Sequence, residues 1–343
     1  MKRLLNTLFI LSEDLYLSLD NQNLTAWREG NVVQRIPLLN LESIFYFGYK
    51  GASPALLGAC AEQNIGFTFL TPQGKFLARV SGTGQGNVLL RKAQYRKSDQ
   101  EQASLQLAQW FLTGKIWNAR VTLMRFLRDH PLSVNGEQFR EAIQILKGAL
   151  RDLQQAKDGD QLRGVEGNAA HVYFSLFDQL ILGDKKTFFF RERNKRPPLD
   201  PMNALLSFAY TLLAADCAHA LEAVGLDASV GFLHRDRPGR KSLALDLMEE
   251  FRSLAADRFV LSLVNTRSLT GKHFKKTETG AVLMSEEGRK IFLTRWQERK
   301  QEKLEHPFLK EKIPWGLFPY VQALLLAKWL REDLDGYPAF LGK

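Results

Sequence analysis

The chain has 343 residues, 45% of them apolar, and carries 47 lysines and arginines against 37 acidic residues, a formal net charge of +10. This length and apolar content exclude a disordered chain, a collagen and a disulfide-stabilised miniprotein. The excess positive charge predicts a polyanionic partner. Cys60 and Cys217, far apart in the chain, argue against a zinc module or a disulfide framework and fit a reducing, cytoplasmic environment.

A targeting segment is not expected. Residues 4–11 form a short apolar run after Lys2 and Arg3, but the run contains Asn6 and Thr7 and continues into acidic residues without a cleavage site. No apolar run approaches the roughly 20 residues that a membrane-spanning helix needs.

The first part of the chain, residues 1–81, is predicted to form a small β-domain. Short apolar or alternating runs are separated there by turn-forming residues, as in 44–47 and 67–70, with turns at 20–23, 29–31 and 72–74. One helix is predicted at residues 54–63, where small residues and leucines replace β-branched ones. Residues 1–80 carry seven basic and six acidic side chains, so nearly all the excess positive charge lies after them.

The glycine-rich residues 82–86 predict a hinge within a linker at 82–90. They do not match a nucleotide-binding loop, because Asn87 stands where the third glycine is required. From 91 to 343 the apolar spacing becomes helical, which predicts a larger, mostly α-helical domain and an α+β protein whose small N-terminal domain is β-sandwich-like. Helical spacing appears at residues 105–127 and 139–153, and the strongest helical patterns cover 204–224 and 243–259. A charged segment follows at 285–303 and a buried one at 315–330.

Acidic residues and a histidine stand among basic residues in the second half. His234 opens a turn that leads into a helix, on which Asp246 and Glu249, three residues apart, share the face opposite an apolar stripe. Two carboxylates and an imidazole could meet there. The alternative is that Asp246, Glu249 and Glu250 form the solvated side of an amphipathic helix.

Glu166 lies between glycines at 164 and 167, before the residues that are predicted to form a helix. A carboxylate in the first turn can simply favour the positive end of the helix dipole. The flanking glycines allow a bulky group to approach the backbone, which favours a functional position.

Two basic clusters accompany these residues, at 185–196 around three phenylalanines and at 267–276 around Phe274. A charge run is usually a solvated surface, but several such runs in one basic half favour phosphate binding. The candidate DNA contacts are Arg191, Arg193, Arg196, Arg235, Arg240, Arg252 and Lys272.

Four motifs occur in order: RGVEGNAA at 163–170, RPPLDPMNALLS at 196–207, GFLH at 231–234 and SLALDLMEEFR at 242–252. Together they resemble CRISPR-associated protein one, the endonuclease and integrase of spacer acquisition. The segment around GFLH is most similar to the type I-C branch. That family has an amino-terminal β-domain linked to a larger helical domain, so the resemblance covers nearly the whole chain.

The resemblance implies a metal site formed by Glu166, His234 and Glu249, with Asp246 as a further functional acidic residue beside it. Some family members have aspartate at the position of Glu249. Such an oxygen-rich set with one nitrogen suits Mg²⁺ or Mn²⁺. Arg252 matches a basic position of the family, and Asn203 is expected to support the wall of the site.

The implied reaction joins the 3′-hydroxyl of a short DNA duplex to a CRISPR repeat by transesterification, and water as nucleophile would make the site a nuclease. The implied partners are double-stranded and branched DNA, a second copy of the chain in contact through the β-domain, and the small dimeric CRISPR-associated protein two. A non-catalytic DNA-binding scaffold and a general branched-DNA repair nuclease remain alternatives.

Overall fold

The structure is a computed structural model that describes residues 7–41, 43–72, 76–80 and 88–343. The predicted hinge at 82–86 lies outside the described residues, as does most of the predicted turn at 72–74. Residues 88–90, which were predicted as linker, form the start of a helix.

Within its described residues, the first unit contains two sheets and one α-helix. Its strands are β1 (Thr7–Ile10), β2 (Tyr16–Asp20), β3 (Asn23–Arg28), β4 (Asn31–Pro37), β5 (Ser43–Phe47), β6 (Gly66–Leu70) and β7 (Phe76–Val80), and its helix is α1 (Pro54–Glu62). One sheet has the order β1-β5-β6-β7, with β7 antiparallel to β6 and the other neighbours parallel. The other is the antiparallel meander β2-β3-β4. The prediction of a small β-domain is confirmed, and so is its single helix.

The second unit is mostly helical. Its elements are α2 (Val88–Asp99), α3 (Glu101–Asp129), α4 (Gly136–Gln155), α5 (Gly159–Ser175), α6 (Pro201–Val224), α7 (Ser242–Glu249), a π-helical turn (Arg252–Asp257), α8 (Arg258–Asn265), the hairpin of β8 (Phe274–Lys276) and β9 (Val282–Met284), α9 (Glu286–Gln301), the hairpin of β10 (Lys303–Glu305) and β11 (Lys312–Pro314), and α10 (Phe318–Leu330). Short 3₁₀ turns lie at Leu38–Asn40 in the first unit and at Phe177–Leu180, Gly271–His273 and Trp315–Leu317 in the second. The predicted α+β class is therefore confirmed.

Helix α6 forms the centre of the second core. Asp200 caps its first turn by accepting a hydrogen bond from the Asn203 amide at 2.8 Å, and Gly225 ends it with a φ of 97°. Among the described residues it is the one helix long and apolar enough to cross a membrane, but 72% of its most apolar window is buried inside the protein. Such burial is typical of a core helix.

The helix predicted at 243–259 is interrupted. Helix α7 ends at Glu249, and the π-helical turn follows before α8 begins at Arg258. A π-helical turn places one more residue in the turn than an α-helix does, and such insertions are frequent at functional sites. Apolar periodicity could not reveal it, since this stretch is buried on most sides.

Strand β5 connects the two units through both of its faces. Ile44 and Tyr46 belong to the core of the β-domain, whereas the alternate residues Phe45 and Phe47 belong to the large helical core. The Phe47 ring centroid lies 6.2 Å from that of Phe208 on α6. The two units therefore share a packed apolar contact.

We expect Phe47→Ala to lower the free energy of unfolding by about 3–5 kcal/mol, because it leaves a cavity between β5 and α6. Chemical denaturation measures this loss. Exposed Leu132→Ala serves as the control and should change stability by less than about 0.5 kcal/mol. An equally small effect at Phe47 would contradict the shared core.

A buried carboxyl anchors the end of the chain. Glu250 Oε2 accepts hydrogen bonds from Gln322 Nε2 and from the Phe340 amide, both at 2.8 Å. Burial raises the pKa of Glu250 to about 8, despite the opposing effect of hydrogen bonds that include these two. The carboxyl is therefore protonated in the folded protein at neutral pH.

Because folding raises this pKa, the folded state binds the extra proton and the stability contributed by Glu250 declines as pH rises from about 4.5 to about 8. Relative to Glu250→Gln, the free energy of unfolding of the wild type should fall by up to roughly 1.4 kcal/mol per pH unit in this window. Denaturant titrations at several pH values test it. Parallel pH profiles for the two proteins would refute it.

Candidate active site

Two carboxylates that are remote in the sequence meet at one ammonium group. Glu166 lies on α5, Glu249 is the last residue of α7, and Lys115 reaches them from α3. The Lys115 Nζ donates a hydrogen bond to Glu166 Oε1 and lies 2.8 Å from Glu249 Oε2. The structure thus brings two of the three predicted metal ligands to one cation.

Glu166 does not occupy the first turn of its helix. Helix α5 begins at Gly159, where Asp158 caps it by accepting hydrogen bonds from the amides of Asp160 and Gln161. Glu166 therefore lies about two turns inside, and the prediction that it precedes the helix is wrong. Interaction with the helix dipole, which is confined to the terminal turn, does not explain its position.

His234 is held by Asp246. The Asp246 carboxylate is fully buried and lies 2.6 Å through Oδ1 from the His234 Nδ1. It also accepts hydrogen bonds from the backbone amides of Phe232, Leu233 and His234 at 2.7–3.0 Å. With both oxygens engaged, Asp246 positions the imidazole, whose other nitrogen, Nε2, remains for a ligand or substrate.

Gly231 allows the loop to fold this closely over α7. A Cβ at this position would lie 2.6 Å from the His234 carbonyl oxygen, 2.7 Å from the Ser242 Cβ and 3.0 Å from Asp246 Oδ2. Only glycine fits without moving the backbone that aims the imidazole. Close packing thus explains the glycine of the GFLH motif, and the contact with Asp246 explains its histidine.

Glu249 is ionised although it is buried. Burial by itself raises its pKa, but the Arg252 guanidinium and the Lys115 ammonium, with a smaller effect from His234, outweigh it and lower that pKa to about 2. Arg252 Nη1 donates to Glu249 Oε1 at 2.8 Å. The other oxygen, Oε2, is buried and lacks a partner in hydrogen-bond geometry within the described ranges, although the Lys115 Nζ is near.

Asp246 and Glu249 are 0% and 3% exposed, and Glu250 is 0% exposed. The alternative interpretation of these acidic residues as the solvated side of an amphipathic helix is therefore wrong. The apolar Leu245 on this face is also covered by the protein, since it packs against the large core.

The guanidinium of Arg252 packs against an aromatic ring. Its guanidinium carbon lies 4.4 Å from the Tyr210 ring centroid, and that of Arg193 lies 5.5 Å from the same ring. The Tyr210 hydroxyl donates to Asp257 Oδ1 at 2.5 Å. Burial raises the pKa of Asp257 to about 6, against the hydrogen bond from Tyr210 and the charge of Arg252.

Asn203, which the resemblance places at the wall of the site, contacts Arg193. It is fully buried, its Oδ1 accepts from Arg193 Nη1 at 2.7 Å, and its Nδ2 donates to the Glu192 carbonyl at 2.9 Å and to Asp200 Oδ2 at 2.7 Å. Asn203 thereby ties the segment that contains Arg193 to the start of α6.

The basic residues predicted to contact DNA fall into two groups. Arg193 and Arg252 bind within the protein, as described above, and Arg240 is half-buried. The exposed group consists of Arg191, Arg196, Arg235 and Lys272. Lys195 links the cluster at 185–196 to the site: burial and the charges of Arg193, Arg252 and Arg196 lower its pKa.

A cavity of about 120 Å³ adjoins Glu166, Lys115 and Arg252. Lys115 and Glu166 line one part of it, and most of its wall is apolar or aromatic, including Tyr173 and Tyr210. The space next to Lys115 could accommodate movement of its side chain.

A divalent metal fits this arrangement in part. No group of three or more His, Cys, Asp or Glu side chains in the described part of the chain is arranged to hold a metal as it stands. Two carboxylates nevertheless share one cation, and one buried oxygen of Glu249 has no partner in hydrogen-bond geometry among the residues that the structure describes. His234 lies close enough to lower the pKa of Glu249. These donors suit a hard divalent ion in place of the ammonium.

Sequence reasoning missed Lys115. It lies between the buried residues Phe111 and Ala119, one turn away on either side, so it occupies an apolar stripe of α3. A lysine on such a stripe requires a buried partner, and this was the available signal. Tyr210 and Asp257 were missed as well, because both are hidden within strongly apolar helical patterns.

The chain matches the family model described as CRISPR associated protein Cas1 over residues 8–298. A CRISPR-associated endonuclease Cas1 from Chlorobaculum tepidum is 49% identical over 341 residues, which cover 99% of both chains. Another from Rhodospirillum rubrum is 48% identical over 347 residues and 100% of both chains.

Solved structures show the same fold. A casposase bound to integration product has a TM-score of 0.83 at 22% identity, covering 100% of this chain and 95% of that one. A Cas1 protein from Thermotoga maritima has a TM-score of 0.81 at 22% identity, covering 98% and 100%. From its family match and its relatives, the chain belongs to the CRISPR-associated Cas1 family.

Proposed function

We propose that this protein is a metal-dependent DNA integrase with endonuclease activity, which joins the 3′-hydroxyl ends of short foreign duplexes to a CRISPR repeat by transesterification. The observation that carries the proposal is the convergence of buried Glu249 and remote Glu166 on one cation beside His234. The relatives from C. tepidum and R. rubrum are named endonucleases, and a casposase with this fold is bound to its integration product.

Glu166, His234 and Glu249 are the proposed metal ligands, and Mg²⁺ or Mn²⁺ is the proposed ion. When bound, such an ion polarises the scissile phosphoryl group and neutralises charge that develops during in-line displacement. Arg252 holds Glu249 in place, and Asp246 holds the imidazole.

The proposed DNA surface is formed by the exposed basic group. Arg191, Arg196, Arg235 and Lys272 are exposed and can pair with phosphates without losing a contact that holds the site together. Phosphate contacts carry no sequence information, which suits foreign duplexes of varied sequence. Each neutralised phosphate should steepen the salt dependence of binding.

The proposed assembly is a homodimer that binds the small dimeric CRISPR-associated protein two. Strand β4 is the outer strand of its sheet, and Val32 and Val33 on it are 39% and 49% exposed. An open strand edge with exposed valines suits a contact between two β-domains. A protein with the same fold has been solved in a Cas6-RT-Cas1–Cas2 complex.

Glu166→Gln and His234→Ala should each reduce joining at least about a hundredfold, because each removes a donor from the metal site. The assay incubates a supercoiled plasmid bearing a repeat with short duplexes, the partner protein and Mn²⁺, and follows covalently joined products. Duplex binding should persist in both variants, and Glu137→Gln, an exposed glutamate on α4, is the matched control.

Undiminished joining in both variants would discard the proposed site. Hydrolysis of branched DNA without any joining would instead favour a repair nuclease. Duplex binding without either reaction would leave a DNA-binding scaffold.

Asp246→Asn should weaken Mn²⁺ binding about 10–100-fold and reduce joining with it, because an amide cannot accept all the hydrogen bonds that the carboxylate accepts. Isothermal titration measures the affinity. The matched change Asp216→Asn, at a salt bridge with Lys300 on α9, should lower stability without altering Mn²⁺ affinity. Equal Mn²⁺ affinity in the wild type and Asp246→Asn would show that Asp246 does not position the ligand.

A further inference from the structure

We propose that Lys115 is a displaceable counter-cation: it holds the two carboxylates while no metal is bound, and it must leave them before a divalent ion binds. We further propose that a DNA phosphate takes over the released ammonium, so that DNA and metal bind cooperatively. This inference rests on the proposed function, since it assigns Lys115 a role at the same site.

The charges around the carboxylates are balanced without a metal. Glu166 and Glu249 carry two negative charges, and Lys115 and Arg252 supply two positive ones in direct contact. A divalent ion placed among these groups would meet two cations at close range. In a partly buried site this repulsion is poorly screened, so one of the cations has to move before the ion can bind tightly.

Arg252 is the cation that stays. It contacts Glu249 at 2.8 Å, and its guanidinium lies over the Tyr210 ring, whose hydroxyl is fixed by Asp257. Moving Arg252 would break the ion pair and the stacking contact together. A planar guanidinium held on an aromatic face is preorganised and suited to a permanent position.

Lys115 is the cation that can move. Among the described residues, its ammonium contacts polar groups of Glu166 and Glu249 alone. The cavity of about 120 Å³ lies beside its side chain. A flexible four-carbon stem can swing the ammonium away, whereas the carboxylates stay on their helices.

The released ammonium needs an anion, and a phosphate of bound DNA is the anion that the proposed reaction brings to the site. Pairing with phosphate would repay the contacts that Lys115 loses. By linkage, DNA then strengthens metal binding by the factor by which metal strengthens DNA binding. Lys115 is thus a positioning residue that makes occupancy of the metal site depend on the substrate.

The first test is Mn²⁺ binding without DNA, measured by isothermal titration. Lys115→Met removes the charge and the hydrogen-bond donor. Lys115→Gln removes the charge but keeps a polar hydrogen-bond donor, in case the first variant fails to fold. Both should bind Mn²⁺ at least tenfold more tightly than the wild type. Lys300→Met is the control, since Lys300 is also a buried lysine paired with a carboxylate, Asp216, at 2.9 Å.

A melting measurement provides a second readout. Without Lys115 the two carboxylates repel each other, so Mn²⁺ should raise the melting temperature of Lys115→Gln more than it raises that of the wild type. Lys300→Met should show the wild-type response to Mn²⁺. Equal Mn²⁺ responses and equal Mn²⁺ affinities in the wild type and both Lys115 variants would overturn the role of Lys115.

The second test adds a short phosphorothioate duplex with 3′-dideoxy ends, which resists hydrolysis and cannot be joined. This duplex should tighten Mn²⁺ binding to the wild type at least tenfold. In Lys115→Gln the tightening should be smaller, because the phosphate still meets the ion but no longer takes over an ammonium. Equal tightening in both would refute the coupling through Lys115. If the wild type and the variants bind no Mn²⁺ with or without the duplex, the proposed metal site itself is wrong, which is a distinguishable failure.

Discussion

The cost of burying the Glu249 carboxylate governs the arrangement of the helical domain around the site. An isolated buried carboxylate is expensive by several kcal/mol unless positive charges compensate it. Here α3 contributes Lys115 and the π-helical turn contributes Arg252, and together they keep Glu249 ionised at neutral pH. The approach of these elements is therefore part of the site's chemistry and not only of its packing.

Two acidic residues on one short helix are given different tasks by their surroundings. Asp246 is saturated by three backbone amides and the His234 ring, so it can orient but has no free oxygen for a ligand. Glu249, one turn later, keeps one oxygen without a hydrogen-bond partner in the described chain. The three-residue spacing of Asp246 and Glu249 does not by itself give them different surroundings. They differ because Gly231 allows the loop that contains His234 to pack closely against Asp246.

The sequence was sufficient for features that depend on local patterns. The β-domain, helix α6 and the helical remainder follow from apolar periodicity and turn-forming residues, and the motif resemblance named the acidic residues and His234. The sequence was insufficient for features that depend on contact with a residue distant in the chain. Lys115 is remote from its partners, and the two-faced packing of β5 depends on where α6 lies. The assigned catalytic roles stay predictions until they are measured.

Net charge predicts a kind of partner, but it does not predict which basic residues are available for contacts. Arg193 and Arg252 add to the positive total, but they lie against Tyr210 and hold Asn203 and Glu249. An arginine with such contacts can bind phosphate only by giving them up, which would loosen the site at the moment of reaction. Exposed basic residues have no such conflict. The structural cations and the exposed cations are therefore different residues. This separation allows one basic domain to keep a buried carboxylate ionised and also to present positive charge to a polyanion.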